Sequence, residues 1–132
     1  KKIKAKIEGY EKKGIIRAYR AILNEDKLDL GRVGAVIEVR ITPEREGGFD
    51  RISARVAKFP EVKSLFLMSG GYDLLVFVEG RNLREVATFV SERLATIQGV
   101  VATATHFMLK TYKDQGVLMD ARKEDERLKV SP

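Results

Sequence analysis

The sequence has no cysteine, no tryptophan, three prolines and a single histidine in 132 residues. Without cysteine there is neither a disulfide framework nor a thiolate metal site, and a reducing cytoplasm is the expected compartment. The lone histidine, His106, excludes a histidine-rich metal centre by count, and no nearby Ser-Asp order makes it part of a triad. It reads as a packed or hydrogen-bonded strand residue. No catalytic residue, metal or cofactor is therefore expected. No apolar run approaches the roughly 18 residues of a membrane span. No apolar stretch follows Lys1-Lys2-Ile3, so the start is not a signal peptide. The first residue is not Met, and the sequence is expected to begin partway into a longer protein.

What is present is unevenly placed. The formal net charge is +6, and residues 1–20 account for all of it, with eight basic side chains against Glu8 and Glu11. The other 112 residues carry 17 charges of each sign. Lys1, Lys2, Lys4 and Lys6 lead the cluster. A basic cluster at one end is the footprint of a nucleic-acid contact, since each cation near a phosphate releases a condensed counterion. The plainer reading is a solvated helix face.

Residues 2–13 read as an amphipathic helix, with Ile3, Ile7 and Tyr10 on one face and Gly14 as its stop. Ile15 to Leu23 alternates well enough for a strand, and Asn24 to Gly34 reads as a linker. Residues 35–42 form the clearest strand, β-branched and ended by Pro43. Gly47-Gly48 reads as a loop. Phe49, Ile52, Ser53 and Val56 follow the helical i, i+3, i+4, i+7 spacing, and Pro60 closes that helix. Strands follow at 62–68 and 73–79, joined by a Ser69-Gly70-Gly71 turn. Asn82 caps a second helix, with Glu85 three residues on. Its stripe is Leu83, Val86, Val90, Leu94 and Ile97, and Gly99 stops it. Residues 100–112 read as a last strand, and 113–132 as a charged, partly ordered tail.

The order β-α-β-β-α-β predicts an α+β, ferredoxin-like fold: four antiparallel strands with two helices on one face. The other sheet face has no cover from within the chain. Val36, Phe66, Met68, Leu75 and Phe77 cannot all point at the helices. An apolar face of that size needs a partner, and a second copy giving a face-to-face homodimer is the simplest one.

The Ser69-Gly70-Gly71-Tyr72-Asp73 segment is the most informative loop. Two glycines let a ligand approach the backbone and leave amide donors free. Asp73 is able to accept from an ammonium group, and Thr103 and Thr105 of the last strand offer hydroxyls. Such a set suits a zwitterion such as a free amino acid. On spacing alone, an ordinary hairpin turn with strand threonines explains the same residues.

In order along the chain, these residues carry a family resemblance. Ile3, Lys4-Ala5-Lys6, Ile7, Tyr10, Gly14-Ile15-Ile16 and Tyr19 stand as at the end of a recognition helix and the strand after it. Gly70, Tyr72, Asp73 and Leu74-Leu75 follow, then Gln98-Gly99-Val100 and Thr103-Ala104-Thr105. Over about residues 2–112 the chain resembles the feast/famine, or Lrp/AsnC, transcription regulators.

The resemblance implies four parts: a remnant of the helix-turn-helix at 1–23, a linker at 24–34, an effector-binding and oligomerising domain at 35–112, and a tail at 113–132. It implies an amino acid or related small metabolite as effector, bound between dimers near Ser69–Asp73. It also implies homodimers that assemble further into tetramers or octamers, and DNA contact through the complete helix-turn-helix. Two departures stand out. Gly71 replaces a frequently acidic residue, and the first two helices of the DNA-binding unit are absent. The alternative is a stand-alone ferredoxin-like module that binds a small molecule or bridges subunits without touching DNA.

Overall fold

A computed structural model describes residues 1–42 and 48–120. These fall into two compact units, one of Lys1–Lys27 with the chain from Tyr112 onward, the other of Leu28–Thr111.

The larger unit is built on an antiparallel sheet of four strands, β1 (Val33–Ile41), β2 (Val62–Leu67), β3 (Leu74–Gly80) and β4 (Val100–Phe107), in the order β2-β3-β1-β4. Helix α2 (Gly48–Ala57) connects β1 to β2, and helix α3 (Leu83–Phe89) leads from β3 into a π-helical turn at Val90–Leu94. This is the ferredoxin-like order expected from the sequence. In β1, period-two alternation buries Ala35, Ile37, Val39 and Ile41 on the helix side. In β3 the buried residues are Leu74, Val76 and Val78. Ile52 and Val56 of α2, then Val86, Phe89, Val90, Leu94 and Ile97, close over them as one core. Each such side chain contributes about 1.5–3 kcal/mol on burial.

Asn82 caps α3 as expected, its Oδ1 accepting from the Glu85 amide at 2.8 Å. The Glu85 carboxylate turns to Arg81 Nε, also 2.8 Å away. That hydrogen bond is the main reason the carboxyl lies below its ordinary pKa. The stripe differs at two places. Leu83 is 56% exposed, and Phe89, outside the expected stripe, is buried. The Ala95 amide donates five residues back, to Val90 O, and Phe89, Val90 and Leu94 all reach the core. Phe59 packs edge-on to Phe89 at 5.3 Å, and Arg93 lies over Phe59 while pairing with Glu61 at 2.7 Å.

Other boundaries also move. The first strand begins at Val33, two residues into the expected linker, and Gly48 opens α2 instead of lying in a loop. The last strand ends at Phe107, not 112: the Met108 amide makes a final bond to Gly34 O, and β1 offers no further partner beyond Val33. Pro43 and Gly47 lie outside the described residues.

In the smaller unit, helix α1 (Lys2–Lys12) buries no residue. Its end is a Schellman motif: Gly14 takes φ +77, its amide donates to Glu11 O, and the Ile15 amide donates to Tyr10 O. Residues 15–23, expected as a strand, form none. Alternation supplies a suitable face but no ladder, and no described strand pairs with this segment. The expected tail instead begins with a hairpin of β5 (Lys113–Asp114) and β6 (Val117–Leu118). Gln115 and Gly116 both have positive φ, the geometry of a two-residue turn that matches strand twist. The Asn24 side-chain amide donates to Met119 O at 2.8 Å and ties this hairpin to the chain after α1. Residues 121–132 of the expected tail lie outside the described residues.

Candidate functional site

The turn between β2 and β3 projects from the sheet end where β1 finishes and β4 begins. The Met68 amide donates to Asp73 O at 2.8 Å and closes it, while the Asp73 amide donates to Val39 O at 2.9 Å. Ser69, Gly70 and Gly71 are exposed, and Tyr72 and Asp73 are half-buried. Gly70 takes φ +148, a conformation L side chains avoid. A Cβ built on Gly70 or Gly71 meets nothing within 4 Å, so open space lies against this backbone. Among the described residues, no backbone hydrogen bond is donated by the amides of Ser69, Gly70, Gly71 or Tyr72.

Asp73 is committed within the fold. Its Oδ2 accepts from the Ile41 amide at 2.7 Å, next to the irregularity at Arg40/Ile41 where the β1–β4 register shifts. The Ile41 amide, beyond the last β1–β3 pair at Val39 and Leu74, thus finds a carboxylate on the residue just before β3. Nothing in the sequence marks this irregularity; it becomes visible only once register is known.

The threonines stand elsewhere. Thr103 pairs with Val39 and Thr105 with Ile37, so both side chains share the helix-covered face, and both are half-buried. They lie two strands from Asp73, roughly 10 Å across the sheet. Thr103 is in the row nearest the turn and Thr105 is two residues further away. A single copy therefore presents the turn amides as one group and does not bring the threonines to them.

On the open face of the sheet, Val36, Leu75 and Phe77 are half-buried and Phe66 is 51% exposed. Phe66 and Phe77 meet edge to face at 6.0 Å. Among them sits a pair that sequence reasoning missed, Glu38 and His106, on adjacent strands. In the other unit, Lys1, Lys2, Lys4 and Lys6 are all exposed, and Ile3, Ile7 and Tyr10 of α1 are 76%, 39% and 37% exposed.

Residues 34–118 match the Lrp/AsnC ligand binding domain. The chain belongs to the Lrp/AsnC family. This Lrp/AsnC chain is 43% identical over 132 residues to the HTH-type transcriptional regulator YugG of Bacillus subtilis, covering 98% of the chain and 79% of that protein. It is 29% identical over 113 residues to the proline dehydrogenase transcriptional activator of Rhodobacter capsulatus, covering 86% and 73%. Among solved structures, it resembles a transcriptional regulator of Neisseria meningitidis in complex with L-Met. That match has 30% identity and a TM-score of 0.68 over 85% of this chain and 71% of the other. The AsnC structure of E. coli shares the fold at 19% identity, with a TM-score of 0.67 over 86% and 74%. The Lrp/AsnC chain is thus a transcriptional regulator with a ligand-binding domain, and its family consists of regulators, not enzymes.

Proposed function

We propose that this regulator senses an amino acid or closely related metabolite at the Ser69–Asp73 turn and converts occupancy into a change of assembly. The observation that carries this reading is the exposed turn itself, with free amides facing open space on two adjacent glycines. Amides so placed hold a carboxylate, and a neighbouring acidic side chain holds an ammonium. The relative from Neisseria meningitidis was solved with L-Met, an amino acid.

Two copies meet through their open sheet faces, which removes Phe66, Phe77, Leu75 and Val36 from water. Further pairing of dimers, into tetramers or octamers, brings a second turn against the first. That second copy completes a pocket that the distant Thr103 and Thr105 do not complete within one chain. The effector must bind one assembly better than another for anything to shift. The basic helix α1, with Lys1, Lys2, Lys4 and Lys6, serves the DNA-reading part, and the protein works in the cytoplasm, where its DNA target lies.

Thermal melting in the presence of each of the twenty amino acids tests the reading. At least one is expected to raise the melting temperature. At a hundredfold excess over Kd the stabilisation is about 2.7 kcal/mol. Gly71→Leu should abolish the rise and leave the unliganded melting temperature unchanged, because its backbone accepts a side chain that would fill only open space. No rise with any amino acid, or a full rise in Gly71→Leu, overturns the site.

A further inference from the structure

Near the middle of the open sheet face, among apolar side chains, lies one partly covered charged pair. Two cross-strand rows define that middle: Ser64, Phe77, Val36 and His106, then Phe66, Leu75, Glu38 and Ala104. Glu38 lies on a central strand, and its Oε2 is 2.7 Å from His106 Nε2. The two side chains are 35% and 59% exposed, respectively.

The charged groups near His106 are few. Strand β1 offers Glu38 and, two residues along, the exposed Arg40 at the end of the face. Asp73 is at that same end and is occupied by the Ile41 amide. Strand β3 offers Glu79 at the opposite end, paired with Arg32 at 3.1 Å. The β4 neighbours on this face are Ala102 and Ala104; β2 adds Ser64 and Phe66, and its exposed Lys63, at the bulge between Val62 and Ser64, lies near Arg32 and Glu79. Glu38 is the only charge within hydrogen-bond reach of the imidazole among the described residues.

We infer that Glu38 and His106 form a proton-responsive pair that strengthens self-association through this face when the imidazole is charged. The inference rests on the sheet-face dimer proposed above. Covering the face strips water from the Glu38 carboxylate, and a carboxylate removed from water without a cation is strongly unfavourable. A charged imidazole neutralises it within hydrogen-bond distance, whereas a neutral one supplies only a hydrogen bond. Arg40, two residues along the strand, is exposed and makes no ion pair with Glu38 among the described residues. Histidine is the side chain whose charge ordinarily changes between pH 5 and 8, and His106 is the only one in the chain. Association then takes up a proton, so it tightens as pH falls through that range.

Sedimentation equilibrium of the whole chain at about pH 5.5 and about pH 8 reads this directly. The dimer dissociation constant of the wild type is expected to be on the order of tenfold lower at the acidic value. His106→Gln should dimerise with no such dependence, and Glu38→Gln should dimerise tightly at about pH 8 without tightening at about pH 5.5, where an unpaired imidazolium would have to be covered. A wild-type dimer indifferent to pH, one that tightens toward alkaline pH, or a dependence surviving in His106→Gln overturns the pair and leaves the sheet-face dimer standing. A monomer at both values, in wild type and Glu38→Gln alike, removes the dimer itself and the pair with it.

Discussion

Asp73 is the residue at which the proposed sensing and stability compete for one side chain. Its carboxylate accepts from the Ile41 amide at 2.7 Å, so part of its work is to hold the end of β1 against β3. A hydrogen bond to a charged group in a half-buried position contributes about 1.5–3 kcal/mol. Asp73→Ala is therefore expected to lose about that much stability in urea unfolding with no amino acid present. Asp73→Asn keeps an acceptor oxygen for Ile41 and should lose less, about 1 kcal/mol. Equal stability of Asp73→Ala and wild type would show that the carboxylate does not brace the strand. Glycine at 70 and 71 plays two different parts: at Gly70 the backbone conformation favours it, while at Gly71 neither the backbone nor the space beside it requires it for folding.

At the scale of elements, caps and stops were legible because their chemistry is local. The Schellman ending of α1 at Gly14 and the Asn82 cap of α3 each need only a few neighbouring residues. Asn82→Ala is expected to cost about 1 kcal/mol and Asn82→Asp almost nothing, as read from thermal or urea unfolding. A neutral Asn82→Ala would mean that the Glu85 amide finds another acceptor. Strands were legible only where a partner existed. Residues 15–23 alternate like a strand and pair with nothing described, and 108–112 stop being strand where β1 has already begun. The π turn was invisible because the spacing of Val86, Val90, Leu94 and Ile97 fits an ordinary helix. Leu83, in the first turn of α3, is exposed, and Phe89, three residues after Val86, is buried.

For the whole molecule, charge is segregated from the sheet. Helix α1 buries no residue, and residues 1–20, which include it, carry all of the net charge, while the remaining 112 residues are balanced. The chain is expected to bind DNA weakly, at low salt and without sequence preference, because two further helices of a helix-turn-helix would be needed to orient α1 in a groove. Fluorescence anisotropy over a salt series should show Lys4→Ala or Lys6→Ala weakening binding to every duplex alike. The log–log salt slope should fall by about one for each phosphate that is no longer neutralised. Sequence-specific binding by this chain at physiological salt would instead show that α1 docks unaided.

The sequence by itself determined the βαββαβ order, the family and the helix-side core, because hydrophobic period, capping residues and turn glycines act over short stretches. It also located the exposed turn at 69–73, since Ser69-Gly70-Gly71 separates two short apolar strand runs. Only the tertiary structure decided which of the candidate residues share a place. Register puts Thr103 and Thr105 under the helices, commits Asp73 to Ile41, and sets His106 against Glu38, 68 residues away. Such pairings depend on strand order and on the register of each ladder. A shift of one residue exchanges the two faces of a strand, so no local pattern fixes which side chains meet across the sheet.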